Sequence, residues 1–109
     1  MADSREVVQG TLDLLILSSL RPGALHGYAI AQRIRDRSGR AVLVTTGALY
    51  PALHRLEGRR LVKARWQVSD TNRRARFYEL TAAGHKALGE ELAWWNRFVA
   101  AVAAVAEPA

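Results

Sequence analysis

The residues best suited to chemistry in this chain are hydrogen-bond donors and cations, not nucleophiles. Thr45, Thr46, Gly47, Tyr50, Pro51, His54 and Arg55 fall within TTGALYPALHR, and Asn72, Arg73, Arg74 and Arg76 fall within NRRAR. Hydroxyl, phenol, imidazole and guanidinium groups at this density suit phosphate oxygens and base edges. No Ser/His/Asp grouping, P-loop or dinucleotide-binding glycine pattern stands out. His26, His54 and His85 are spread along the chain with no i, i+4 pair, and there is no cysteine. The expectation is therefore no enzyme, no metal and no cofactor.

The charge distribution agrees with a polyanion-facing surface. Between Arg33 and Arg76 twelve Arg or Lys residues stand against three acids (Asp36, Glu57 and Asp70), a balance of +9 within a chain of net charge +6. Such a central block with an acidic remainder suits nucleic acid, the plainer alternative being a solvated basic face. With 109 residues, half of them apolar, one compact unit is expected, small enough to gain from a partner subunit. The opening MADSREVVQG lacks the basic start and apolar run of a signal peptide, and LDLLIL is too short to span a bilayer. A cytoplasmic protein with no membrane contact is expected.

Periodicity supplies the elements that must position these groups. Val8, Leu12, Leu15, Ile16 and Ser19 share one face of a first helix over 7–20, with Leu14 and Leu17 beside it. Arg21-Pro22-Gly23 stops it. A second helix is expected from about His26 to Arg37, with Gly27, Ile30, Ala31 and Ile34 inward and Ser38-Gly39 at its end. Val42-Leu43-Val44 reads as an extended connector. Thr45 and Thr46 offer caps for a third helix whose inner stripe is Leu49, Ala52, Leu53 and Leu56, closed by Gly58. Pro51 in its early turns cannot donate to the Gly47 carbonyl, which favours a cap at Thr46 or Gly47.

Beyond Gly58, Val62, Ala64, Trp66 and Val68 alternate with Lys63, Arg65 and Gln67, the period of a half-buried strand. A polar turn, SDTNRRA, leads to a second strand over 76–80, and Trp66 and Tyr78 are expected to pack into the core. Thr81 caps a last helix reaching about Val105. His85, Leu88, Leu92, Trp95, Val99 and Val102 fall there at heptad spacing. The order α-α-α-β-β-α, mainly helical with a basic hairpin, is the plan of a winged helix-turn-helix. The third helix would read the major groove, and the hairpin arginines would reach phosphates or the minor groove. A plain amphipathic helix and a solubilising loop are the alternatives that pattern alone leaves open.

The chain resembles the PadR-like transcriptional regulators. The resemblance rests on GTLDLLIL (10–17), LHGYAI (25–30), GALYPALHRLEG (47–58), LV with Trp66 (61–66) and NRRARFYELTAAG (72–84). It implies a winged helix-turn-helix DNA-binding domain over 1–81 and a C-terminal dimerisation helix over 82–109, forming one compact unit. It implies a homodimeric repressor on a pseudo-palindromic double-stranded operator, controlling a nearby operon often concerned with phenolic acids or toxic compounds. Thr45, Thr46, Gly47, Tyr50, Pro51, His54 and Arg55 would belong to the reading head, and Asn72, Arg73, Arg74 and Arg76 to the wing. Gln9 stands where a basic residue is more usual, which removes one phosphate contact from the expectation.

For the last helix, Leu88, Leu92, Trp95, Val99 and Val102 are the candidate dimer interface. Trp94, Trp95 and Phe98 are the candidate site for a small aromatic effector, since some family members hold flat compounds between dimer-facing tryptophans. Plain interface packing competes with that reading. A winged-helix protein-interaction module without specific DNA binding is the alternative from another functional class.

Overall fold

The computed structural model describes residues 4–108, with the backbone alone for 4–9. Its elements are α1 (Ser4–Ser19), β1 (Leu25–His26), α2 (Gly27–Arg37), α3 (Thr46–Gly58), β2 (Val62–Val68), β3 (Arg74–Leu80) and α4 (Ala82–Ala106). The order differs from the expected one by β1. Leu25 and His26 pair antiparallel with Tyr78 and Phe77, adding a third strand in the sheet order β1-β3-β2. A two-residue strand has no periodicity to read, because only its partner strand defines it.

The core is where α1, α2 and α3 meet one side of the sheet. Ile16 and Leu17 of α1 with Leu20 just past its end, Ile30 and Ile34 of α2, and Leu49, Ala52, Leu53 and Leu56 of α3 are buried together with Leu61, Val62, Tyr78 and Leu80. Burial of these side chains supplies the main driving force for the fold. Leu12 and Leu15 are only partly buried, so the deepest face of α1 is rotated toward Leu17 and Leu20. Val42-Leu43-Val44 forms no strand and crosses from α2 to α3 as a connector.

Local chemistry explains the element ends. His26 precedes α2 as its cap, its Nδ1 accepting from the Ala29 N–H at 3.2 Å. Thr45, one residue before the expected cap, starts α3: its Oγ1 accepts from the Ala48 N–H at 3.2 Å. Gly58 is the last residue of α3, not its breaker. The chain reverses at Arg60, at φ 61°, with Leu61 N–H donating to Leu56 O (3.0 Å) and Arg60 N–H to Glu57 O (2.9 Å). That is the Schellman pattern, with an arginine where glycine is usual.

Thr81 joins the start of α4 to the end of α3. Its Oγ1 accepts from Gly84 N–H at 3.0 Å and donates to Arg60 O at 2.7 Å. Gly84 lies so close that a Cβ there would overlap the Leu61 carbonyl oxygen. This contact explains the glycine of LTAAG. From this anchor α4 runs along α1 and β3, and its 25 residues reach about 37 Å at the usual helical rise. Leu88 is buried in the core, and Leu92 and Trp95 pack against it. Phe98, Val99, Val102 and Val105 lie beyond the body, exposed.

Candidate nucleic-acid interface

α3 presents two unlike faces. Leu49, Ala52, Leu53 and Leu56 are buried, which leaves Thr45, Thr46, Gly47, Tyr50, Pro51 and His54 exposed on the other side. The period of 3.6 forces this separation once the apolar stripe is buried. Pro51 costs α3 one backbone bond, to the Gly47 carbonyl, at a surface open to solvent.

Arg55 stands apart from its neighbours. It is half-buried, and its Nη2 donates to Asp13 Oδ1 of α1 at 3.1 Å. Burial pushes the Asp13 carboxyl above its ordinary range, with the Arg55 guanidinium pulling it part of the way back. In the free protein Arg55 thus ties α3 to α1.

The wing is β2 and β3 joined across Ser69–Arg73. Ser69 N–H donates to Arg73 O at 2.7 Å and Asn72 N–H to Ser69 O at 2.9 Å. Asn72 takes φ 59°, a conformation asparagine tolerates better than most residues. β3 begins at Arg74, two residues earlier than expected, so Arg74 and Arg76 are strand residues and only Asn72 and Arg73 belong to the turn. Arg73 and Arg74 are exposed at the far end of the hairpin. Arg76 is also exposed, but its Nη2 lies 2.7 Å from Glu57 Oε2, which couples the wing to the end of α3. The three arginines therefore divide into an outer pair and one that braces the wing.

The register places Trp66 opposite Arg76, Val68 opposite Arg74 and Ala64 opposite Tyr78, all on one face of the sheet. Tyr78 is buried as expected, and burial pushes its phenol above the ordinary range. Trp66 is not buried: it is 59% exposed, with the Arg74 guanidinium carbon 5.2 Å from its ring centroid. The hairpin outruns the helices that would cover this face, so the side-chain pattern of a core strand continues into solvent. An arginine over an indole face is attracted by the ring quadrupole and loses freedom to roam.

A cleft of about 950 Å³ lies between α3, the start of α2 and this face of the wing. Tyr50, Trp66, Arg73, Arg74 and Arg76 line it, and so do Tyr28 and Gln32 of α2, which the motif reading did not include among the site residues. Tyr28 is 66% exposed. Its position off the Gly27, Ile30, Ala31, Ile34 stripe was the available signal. Thr45, Thr46, Gly47, Pro51, His54, Arg55 and Asn72 do not line this cleft. Thr45 borders a separate apolar hollow with Leu12, Leu15 and Val42–Val44. Not all of the central basic block joins the cleft either. Arg33, Arg37 and Asp36 border hollows at the other end of α2, and Arg35 pairs with Asp36 at 3.0 Å. Arg35 and Arg37 in the last turn of α2 favourably oppose its dipole.

On α4, Trp94 and Phe98 stack at 5.1 Å with an interplanar angle of 8°, and Trp95 lies 6.1 Å from Phe98. The dimer candidates separate here: Leu88, 2% exposed, is consumed by its own core, whereas Val99 and Val102 are about half exposed. Val8 and Gln9 lie outside the residues whose side chains are described. Among the described residues no cluster of three or more His, Asp or Glu side chains could hold a metal, and no helix is long and apolar enough to cross a membrane.

Comparison with known proteins assigns this arrangement. A transcriptional regulator of Mycobacterium tuberculosis is 36% identical over 87 residues, covering 80% of this chain and 78% of that protein. An uncharacterised 37.1 kDa protein of a Streptomyces fradiae transposon is 40% identical over 78 residues, 72% of this chain but only 21% of that longer protein. A transcriptional regulator of Clostridium thermocellum superposes with a TM-score of 0.84 at 26% identity, covering 94% of this chain and 99% of that one. The model of the transcriptional regulator PadR-like family matches residues 16–90, from the core of α1 through the wing to the inner part of α4. With this family match and the shared fold, the chain is a member of the PadR-like family of transcriptional regulators.

Proposed function

We propose that the protein is a homodimeric repressor that binds a pseudo-palindromic operator in double-stranded DNA. The observation that carries this reading is the exposed polar face of α3, whose Tyr50 opens onto a cleft walled by the arginines of the wing. The exposed residues of α3 enter the major groove, and Tyr50 lies nearest the base edges. Arg73 and Arg74 contact phosphates or the adjoining minor groove. The apolar outer half of α4 pairs with its counterpart, burying Val99 and Val102 and setting the separation of the two reading heads. Half-sites about 10 bp apart, centre to centre, follow from that symmetry. A small flat aromatic compound inserted beside Trp94, Trp95 and Phe98 would favour one dimer geometry over another and thereby release DNA.

The test is a mobility-shift titration on the DNA upstream of its own coding sequence, with a random duplex of equal length as control. Tight, salt-sensitive binding that prefers the upstream DNA supports the regulator. Equal, weak binding to both duplexes defeats sequence-specific control of that promoter, and no binding to either favours the protein-interaction module. A promoter reporter that rises when the protein is removed supports repression; one that falls marks an activator.

A further inference from the structure

Gly27 has no backbone need for glycine. It is the first residue of α2, outside the left-handed region, where any good helix former would serve. Its requirement comes from across the cleft. A Cβ at Gly27 would stand 2.8 Å from Tyr50 Oη, closer than real Cβ atoms approach, and a tight 3.0 Å from Tyr50 Cε1 and Cζ. The para end of the Tyr50 ring is therefore seated directly on the α2 backbone. The rest of the ring remains open, with 48% of the residue exposed.

The seat itself is held firmly. Leu25 and His26, immediately before Gly27, are paired with Tyr78 and Phe77 of β3. The His26 ring meets the Phe77 ring edge-on at 5.3 Å, and its Nδ1 caps α2. Tyr50 thus rests against a stretch of backbone that β1 ties to the sheet before any ligand arrives. A preset side chain loses less conformational entropy on binding than a free one, and its direction is part of the selection it makes.

We infer that Gly27 is a specificity-determining position that acts through Tyr50, by leaving the space that sets the direction of its ring toward DNA. This inference rests on the DNA-reading role proposed for α3. The atoms an added methyl group would meet belong to the far end of the Tyr50 side chain, which can turn aside, and not to backbone. Gly27→Ala should therefore fold normally and displace the ring, in contrast to a substitution at Gly84.

The experiment has two readouts, one independent of DNA. In the free protein, ring resonances of labelled tyrosine are compared in wild type, Gly27→Ala, Tyr50→Phe and Tyr50→Ala; with three tyrosines in the chain, the signals can be assigned by substitution. Gly27→Ala should shift the Tyr50 ring signals with little change in melting temperature. An unmoved signal, or a cooperative loss of folding, overturns the seat whatever the DNA result. Affinity is then measured for a duplex enriched by the wild-type protein from a random-sequence library and for an unselected duplex. Tyr50→Ala and Gly27→Ala should each reduce the affinity ratio by about tenfold, in the range of one lost base contact. Gly27→Ala should add nothing in the Tyr50→Ala background, and Tyr50→Phe, which deletes the nearest atom, should restore part of what Gly27→Ala removes.

An unchanged ratio in Gly27→Ala, or an additive loss in the double variant, overturns the coupling. Failure of wild type to enrich any sequence overturns the DNA-reading proposal itself, and the tyrosine spectra then still report whether the seat exists.

Discussion

The α3–wing face and the outer half of α4 are the two surfaces of this chain that carry exposed aromatic rings, and their chemistry is opposite. On the first, Tyr50, Trp66 and Tyr28 are interleaved with Arg73, Arg74 and Arg76 around a cleft. On the second, Trp94, Phe98, Val99, Val102 and Val105 follow one another with a single arginine, Arg97, among them. A basic aromatic surface is stable in water and gains strength against a polyanion. An apolar stripe on a helix that has left its core is stabilised by being covered. The same chain thus presents one face that suits nucleic acid and another that suits being covered, as the proposed dimer would do. Gly84 and Leu88 are buried in the body, Leu92 and Trp95 pack on it in part, and from Phe98 outward the apolar face is exposed.

The strongest challenge to this contrast is at the anchor of α4. Gly84→Ala should cost about 3 kcal/mol or more, because the new methyl group meets the Leu61 carbonyl, whose residue is held by backbone bonds to Leu56 and Thr81 and cannot yield cheaply. Denaturant unfolding measures it, and a loss below about 1 kcal/mol would show that α4 is not held there as described. Next, Val99→Asp with Val102→Asp should weaken self-association by roughly a hundredfold while leaving the melting of the monomer nearly unchanged, since burying unpaired carboxylates is costly. Sedimentation equilibrium decides this; a dimer of unchanged affinity would remove the outer stripe from the interface.

On the basic face, Arg73→Ala with Arg74→Ala should reduce affinity for every duplex and lower the salt slope by about two per protomer. An unchanged slope takes the wing tip out of the DNA contact. Thr45→Ala should destabilise the fold by about 1 kcal/mol, through loss of the bond to the Ala48 N–H, and fray the end of α3 that would read DNA.

The smallest effect concerns Asp13. Burial holds its carboxyl above the ordinary value of 3.8 in the folded protein, so the folded state binds the proton more tightly than the unfolded chain. Stability therefore falls as pH rises from about 3.8 through the raised value, and levels off above it. Asp13→Asn should flatten that slope, as read from urea midpoints across mildly acidic pH.

The two faces of α3 were legible residue by residue because helical period and capping chemistry are local. Once Leu49, Ala52, Leu53 and Leu56 point inward, Tyr50 and His54 must point outward. The cap moved by one residue, to Thr45, because two adjacent threonines offer the same hydroxyl and only backbone geometry selects between them. Trp66 defeated the pattern for a different reason. Alternation assigns it to the inner face correctly, but burial depends on whether a neighbouring element extends far enough to cover that face, and here none does.

By itself, then, the sequence determined the helices, the hairpin, the basic centre and the family, since all of these follow from periodicity, capping groups and local motifs. Tertiary structure alone decided the pairing of β1 with β3, the bracing of Arg76 by Glu57 and Arg55 by Asp13, and the division of α4 beyond Trp95. It alone decided that Gly27 faces Tyr50. Those relations join residues distant along the chain. Their physical basis is the close approach of whole elements, and no local periodicity records that distance.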